Sequence, residues 1–148
     1  MEVTFCGHSK FYYEETLKDE IFNTLEMELM NYNDINFYLG ANGEFDKIAL
    51  QACLMYKQKH NKVKLYFVTP YLNDVYLKNR KEIINNFDEV IYPELEKVHK
   101  RYAIIKRNYW LVNKCDLIIS FVKYPWGGAS KMLEYAVKKN KKIINLSK

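Results

Sequence analysis

The most constraining feature of this sequence is the stretch Cys115–Leu146, in which apolar runs flank a glycine pair and a helical pattern. The run Leu117–Val122 leads to Gly127 and Gly128, an amphipathic segment follows at once, and a second run occupies Ile143–Leu146. This order predicts a strand, a tight turn, a helix and another strand, which together form a βαβ unit. Such a turn brings backbone N–H groups and the positive end of a helix to one place, which suits an anion such as phosphate.

The rest of the chain continues this alternation of short apolar runs and amphipathic stretches. Further strands are predicted at Val3–Cys6, Ile35–Leu39, Val63–Val68 and Glu89–Tyr92, and helices at Glu14–Met30, Phe45–Lys59 and Glu94–Asn113. We therefore expect an α/β fold, namely a Rossmann-like three-layer α/β/α sandwich with a mainly parallel sheet of about five strands. Residues 1–148 are expected to form one domain. The stretch Tyr71–Asn86 resembles a loop leading into a weak helix, and it is either an ordered part of a pocket or a mobile lid.

The composition indicates the charge of the ligand and the cellular compartment to expect for such a domain. The 148 residues carry a net charge of +5, which would help to attract anionic ligands. Three widely spaced cysteines without a metal-ligand pattern indicate free thiols in a reducing cytoplasm, and we expect no metal and no cofactor. The sequence has no signal peptide pattern and no apolar run long enough for a membrane span, so we expect a cytoplasmic protein without a membrane partner.

Candidate ligand-binding residues follow the predicted strands, because open parallel sheets bind ligands beyond the carboxyl ends of their strands. The segments at this edge are Gly7-His8-Ser9, Gly40-Ala41-Asn42-Gly43-Glu44-Phe45-Asp46, Thr69-Pro70-Tyr71 and Tyr124-Pro125-Trp126-Gly127-Gly128-Ala129-Ser130. Two of these four segments are glycine-rich turns that open helices. Several such loops on one edge predict a binding site there.

The turn that ends in Ser130 carries the strongest of these signals. Its glycines permit positive φ and close approach of a ligand, and Ser130 is suited either to cap the helix or to contact a phosphate oxygen. Glu134, four residues further on, shares a helix face with Ser130. Its carboxylate would accept ribose hydroxyls or act in acid–base chemistry, or else it is simply solvated.

Three other polar residues have both a functional and a structural interpretation. Asp46 begins a predicted helix and either contacts a ligand or compensates the helix dipole. His8 either contacts a ligand or plays a structural part. Arg107, followed by Asn108, would pair with a phosphate through its planar guanidinium, although it also fits an ordinary surface arginine in a basic segment.

Taken together, these motifs resemble the SLOG superfamily, the Rossmann-like group that contains the Smf/DprA and LOG proteins, and within it the small single-domain YpsA-like branch. The resemblance rests on four segments that span nearly the whole chain: Phe5-Cys6-Gly7-His8, Gly40–Asp46, Arg107–Val112 before Cys115–Ile119, and Gly127-Gly128 with Glu134 six residues later. It implies a site for a nucleotide or nucleotide-derived ligand at the strand ends.

The resemblance also implies roles for particular residues. Gly127, Gly128 and Ser130 would hold phosphate, Glu134 would take the place of the LOG glutamate in N-glycosidic bond cleavage, and Arg107 would assist it. Gly7, His8, Gly40, Ala41, Gly43, Asp46, Thr69 and Asn108 would complete the binding site. Trp126, Ser130 and Lys131 differ from the LOG turn, which favours binding over hydrolysis.

We therefore predict a sensor or accessory module that binds a nucleoside phosphate or a ligand related to NAD or ADP-ribose. The first alternative is an N-glycosidic hydrolase or (deoxy)ribosyltransferase that uses Glu134. The second, which we favour less, is a protein that binds single-stranded nucleic acid through its basic helices. Exposed aromatic residues make a homo-oligomer a reasonable expectation.

Overall fold

A computed structural model describes residues 1–147 and contains a six-stranded sheet covered by helices on both faces. The strands are β1 (Glu2–Gly7), β2 (Ile35–Leu39), β3 (Val63–Val68), β4 (Glu89–Ile91), β5 (Leu117–Phe121) and β6 (Lys142–Asn145). The helices are α1 (Leu17–Leu29), α2 (Glu44–Lys59), α3 (Asp74–Lys78), α4 (Lys81–Ile84), α5 (Ala103–Lys114) and α6 (Gly128–Lys138). The expected α/β sandwich is confirmed, with one strand more than the five expected.

The sheet is parallel throughout, and its order is β4-β3-β2-β1-β5-β6. The chain builds outward from β1 to β4 and then crosses back to place β5 on the other side of β1. Val3 pairs with Leu117 and Gly7 with Phe121, so β1 and β5 run side by side to their carboxyl ends. The strand order reverses between these two strands, and this is the position where open α/β sheets bind ligands.

Side chains that alternate along each strand divide the core into two halves. In β5, Leu117 and Ile119 join the cluster beneath α1 and α2, whereas Ile118 joins the cluster beneath α5 and α6. This follows from the two-residue period of a strand, which points successive side chains to opposite faces. The sheet is thereby packed between two layers of helices.

The long helix expected at Glu94–Asn113 is shorter than its pattern indicated. Glu94 has φ of 57°, a left-handed conformation that a helix does not accommodate. A short 3₁₀ turn, Lys100–Tyr102, comes first, and α5 begins only at Ala103. His99 precedes that turn, and its Nδ1 accepts a hydrogen bond from the Arg101 backbone N–H at 3.2 Å.

Two further expectations can be compared with the fold. The stretch Tyr71–Asn86 contains the short helices α3 and α4, the first of which is capped by the Asn73 side chain at the Tyr76 N–H. Cys6, Cys53 and Cys115 are free and buried, as the sequence indicated. None of the helices within residues 1–147 has the length and apolar character that a membrane crossing requires.

Candidate functional site

A cleft of about 440 Å³ lies at the carboxyl ends of β1, β2 and β5, beside the start of α6. Its volume falls within the range usual for small-molecule sites. Of the residues proposed from the sequence, it brings together Gly7, His8, Gly40, Asp46, Arg107, Asn108, Gly127 and Gly128. The topology therefore gathers residues from four separate segments of the chain at the point where the strand order reverses.

Gly127 and Gly128 form the open wall of this cleft. Gly127 has φ of 91°, which favours glycine, and Gly128 is the first residue of α6. A Cβ built on either residue would meet no heavy atom within 4 Å. Gly128 does not have positive φ, so neither packing nor backbone conformation within the described chain requires a glycine there. The backbone at the start of α6 is thus open to a molecule in the cleft.

The three glycines at or just beyond the ends of β1 and β2 are explained by packing. A Cβ on Gly7 would collide with the Phe45 ring, and one on Gly40 would lie 2.8 Å from the guanidinium carbon of Arg107. Gly43 combines φ of 94° with close contact to Ser9. These three glycines therefore allow elements to pack closely, whereas Gly127 and Gly128 leave space unfilled.

Arg107 lies at the bottom of the cleft and is buried, with only 2% of its surface exposed. Its Nη1 donates to the Val68 carbonyl at 2.7 Å and to the Gly40 carbonyl at 3.2 Å, while Nε donates to Asn108 Oδ1 at 3.0 Å. Burial lowers the pKa of this guanidinium, and the Asp46 carboxylate opposes that effect. Arg107 therefore ties α5 to the ends of β2 and β3 and places a fixed positive charge beside the cleft.

Asp46 lies in the first turn of α2, where its Oδ2 accepts a hydrogen bond from the Asn42 N–H at 2.7 Å. Burial raises the pKa of this carboxyl group to about 6, although the Asn42 hydrogen bond and the Arg107 charge both act to lower it. Asp46 thus titrates near neutrality, close to the only buried arginine among residues 1–147.

His8 connects the loops that follow β1 and β5. Its Nε2 accepts hydrogen bonds from the backbone N–H groups of Lys123 at 2.9 Å and Tyr124 at 3.3 Å. An imidazole nitrogen that accepts hydrogen bonds carries no proton, so the arrangement requires the neutral tautomer with the proton on Nδ1. Burial also lowers the pKa of His8, which favours the same neutral form.

Five residues proposed from the sequence do not line the cleft: Ala41, Gly43, Thr69, Ser130 and Glu134. The Thr69 hydroxyl is buried and donates to the Tyr71 carbonyl at 2.8 Å. Ser130 is buried within α6, and its side chain does not form the helix cap considered for it. Glu134 lies on the exposed side of α6.

The cleft is also lined by residues to which no individual role was assigned from the sequence. They include Cys6, Lys10, Asn42, Tyr124 and Trp126. The Cys6 thiol donates to the Ala129 carbonyl at 3.2 Å, and burial raises its pKa well above the ordinary value, so it serves as a neutral donor that joins β1 to α6. Trp126 was noted from the sequence only as a difference from the LOG turn.

Asn42 also joins the cleft to the stretch Tyr71–Asn86. Its Oδ1 accepts from the Tyr76 hydroxyl at 3.2 Å and from Arg80 Nη2 at 3.4 Å. The Arg80 guanidinium lies over the Tyr76 ring, with 3.8 Å from its central carbon to the ring centroid. This stretch therefore contacts the rim through Asn42 without lining the cleft itself.

These features define a class: a Rossmann-like α/β domain whose cleft, lined by backbone amides and a buried arginine, lies where the strand order reverses.

No family model and no curated protein matches the chain. Solved structures do match its fold. DNA processing protein A (DprA) from Streptococcus pneumoniae superposes with a TM-score of 0.66 at 16% identity, over 96% of this chain and 48% of that protein.

Two other solved structures extend the comparison. The DprA of Helicobacter pylori, which binds single-stranded DNA, gives a TM-score of 0.68 at 18% identity over 97% of this chain and 63% of its own. The structural-genomics target TM1055 gives 0.57 at 13% identity over 96% and 71%. The chain shares the Rossmann-like fold of these three structures, and it spans only about half to two thirds of the two DprA chains. Its assignment to the YpsA-like branch stays a prediction.

Proposed function

We propose that the cleft binds a phosphorylated, nucleotide-like ligand and that the protein acts as a binding module. The observation that carries this proposal is Gly128, whose missing side chain opens the start of α6 although nothing within residues 1–147 packs against it. Backbone N–H groups in the first turn of a helix lack intrahelical partners, and they attract an anion together with the helix dipole.

Charge around the cleft supports an anionic ligand. Lys10 and Arg107 contribute two positive charges, whereas Asp46 is the one carboxylate among the described residues that line it. His8 is neutral because its Nε2 accepts two hydrogen bonds. The burial of Arg107 strengthens its field in the cleft, since a charge shielded from water is screened less.

A direct test compares ligand binding by the wild type and by Gly128→Asp. The panel contains inorganic phosphate, ribose 5-phosphate, the nucleoside monophosphates, ADP-ribose and NAD, with binding measured by calorimetry and thermal shift. The space around Gly128 accommodates an aspartate, so the variant should fold while its carboxylate competes for the helix N-terminus. Val137→Asp, at the exposed far end of α6, adds the same charge and should retain binding. A flat response of the wild type across the whole panel would refute the proposal.

A second candidate, binding of single-stranded nucleic acid, has an observation of its own. Both DprA proteins share this fold, and one of them binds single-stranded DNA. Tyr102 precedes by two residues Ile104, which lines the cleft; it is half exposed, and the Arg101 guanidinium lies 5.7 Å from its ring centroid. Exposed aromatic rings next to cations are a usual arrangement for single strands. Oligo(dT) affinity should then fall steeply as salt rises, and it should weaken in Arg101→Ala.

The N-glycosidic reaction gains less support from the geometry. Glu134 is exposed on α6 and does not line the cleft, so it lies outside the group formed by Asp46, Arg107 and Gly128. Two other expectations also stay as proposals. The buried free thiols support a reducing compartment such as the cytoplasm, and light scattering would test whether the protein forms a homo-oligomer.

A further inference from the structure

Trp126 is a large aromatic residue held in an exposed position at the mouth of the cleft. Trp126 is 66% exposed. Its ring is stacked on the Tyr124 ring, with 5.0 Å between the ring centroids and an interplanar angle of 16°. One face of the indole is therefore covered by Tyr124, and the exposure leaves its other surface open. Both residues line the same cleft as Gly127 and Gly128.

The loop around this aromatic pair is anchored at several points. The Tyr124 N–H donates to His8 Nε2 at 3.3 Å, and the Tyr124 and His8 rings lie 5.3 Å apart. Pro125 then restricts the backbone between the two stacked residues. An aromatic ring that is held in place loses little conformational entropy when a flat ligand stacks on it.

The spacing between Trp126 and the start of α6 sets the size of the ligand. Trp126 and Gly128 both line the cleft, and two residues along the chain separate Cα atoms by no more than about 7 Å, so a small ligand in the cleft can reach both. A ligand that uses both must carry an aromatic ring and an anion joined by a short linker. A nucleoside 5′-phosphate has this composition, with its base and phosphate joined by one ribose.

We propose that Trp126, supported by Tyr124, is the platform on which the base of a nucleoside 5′-phosphate stacks while its phosphate lies at the N-terminus of α6. This inference rests on the proposed function, because it assigns the base-binding part of the same cleft. Stacking is tolerant of base identity, since every base has a π-face, and purines offer the larger surface. Purine nucleotides should therefore bind more tightly than pyrimidine nucleotides.

The test compares AMP with ribose 5-phosphate, which has the same phosphate and sugar but no base. For the wild type, AMP should bind about 5- to 150-fold more tightly than ribose 5-phosphate, the range expected for stacking of one base. Trp126→Ala should remove most of that difference and leave ribose 5-phosphate affinity unchanged. Trp126→Phe should retain part of it. Because Trp126 is exposed, these variants should fold.

Fluorescence gives a second measurement. The protein has two tryptophans, and Trp110 lies outside the cleft, with its ring 6.1 Å from that of Tyr38. In a Trp110→Phe variant all indole emission comes from Trp126, and AMP should quench it whereas ribose 5-phosphate should not. A 5′-phosphorylated oligonucleotide tested beside AMP shows whether the ligand of the cleft is a free nucleotide or the phosphorylated end of a strand.

The outcomes separate the two proposals. Equal affinity for AMP and ribose 5-phosphate, abolished for both by Gly128→Asp, would overturn the stacking platform and leave the phosphate site intact. A preference for AMP that survives Trp126→Ala would also overturn it, because the base would then be recognised elsewhere. If the wild type binds neither compound nor any other nucleoside phosphate, both proposals fail.

Discussion

Arg107 and Gly40 are in direct contact, since Nη1 of the arginine donates to the glycine carbonyl at 3.2 Å and a Cβ on Gly40 would lie 2.8 Å from the guanidinium carbon. The glycine at the end of β2 therefore makes room for the buried charge. The same arginine also bonds the Val68 carbonyl at the end of β3. One side chain from α5 thus fixes two strand ends at the base of the cleft.

The first prediction concerns this contact. Gly40→Ala should lower the free energy of unfolding by about 1–3 kcal/mol, because the added methyl group displaces a guanidinium that is held by two carbonyls. Gly128→Ala is the matched control, since its methyl group meets open space and should leave stability unchanged or slightly higher. Urea denaturation measures both variants. Equal stability of the two would contradict this account of Gly40.

The two glycine variants also show where sequence reasoning reaches its limit. Periodicity and strand ends were sufficient to predict the sandwich and the edge at which the cleft lies. They did not distinguish Gly7, which makes room for the Phe45 ring, from Gly128, which faces open space. That distinction depends on contacts between residues far apart in sequence, such as Gly40 and Arg107, and no local pattern encodes them.

Two other differences have a similar origin. The helical spacing of Val98 and Tyr102 suggested a helix from Glu94, but Glu94 has a left-handed backbone, Lys100–Tyr102 form a 3₁₀ turn and α5 begins at Ala103. Glu134 was grouped with Ser130 because they are four residues apart. In the structure Ser130 is buried and Glu134 is exposed, so the shared spacing does not bring both into the cleft.

The second prediction concerns the pH dependence that Asp46 imposes. Its pKa is raised from 3.8 to about 6 in the folded protein, so between these values the native state holds a proton that the unfolded chain has released. Stability therefore falls as pH rises through this window. Relative to Asp46→Asn, the wild type should lose about 1–3 kcal/mol of unfolding free energy between pH 4 and pH 7.

Denaturant titrations of both proteins at pH 4, 5, 6 and 7 measure this difference. Glu44→Gln provides the control, because Glu44 lies in the same first turn of α2 but is exposed and paired with Lys47 at 3.3 Å. As a surface substitution it should change the free energy of unfolding by no more than about 0.5 kcal/mol. If the difference in free energy of unfolding between the wild type and Asp46→Asn stayed constant from pH 4 to pH 7, the carboxyl group would not be held protonated by burial.

The third prediction concerns His8, whose effect on the pH dependence of stability is opposite to that of Asp46. The neutral imidazole accepts two backbone N–H groups, and burial lowers its pKa below the ordinary 6.5. The unfolded chain therefore binds a proton at higher pH than the native state does, and stability falls as pH drops below about 6.5. His8→Gln, which keeps an acceptor without titrating, should lose less stability than the wild type between pH 7.5 and pH 5.

A matched control for this measurement is His99→Gln, which replaces an exposed histidine outside the cleft. At pH 7.5 that variant should keep the free energy of unfolding of the wild type within about 0.5 kcal/mol, as expected for a surface substitution. Amide hydrogen exchange adds a local readout, since protection of the Lys123 and Tyr124 amides should decline in acid in the wild type. Protection that stays constant through pH 5 would mean that His8 Nε2 does not hold this loop.

The fourth prediction separates binding from catalysis. Glu134 is exposed and lies outside the cleft, so Glu134→Gln should bind nucleoside phosphates with wild-type affinity, within about twofold. We expect no release of free base when the wild type is incubated with nucleoside monophosphates or NAD, followed by chromatography of the products. The Gly128→Asp variant provides the comparison, because it should lose ligand binding while Glu134 is intact. Base release by the wild type that disappears in Glu134→Gln would instead identify an N-glycosidic enzyme, and it would require a ligand pose in which the reacting bond approaches the exposed side of α6.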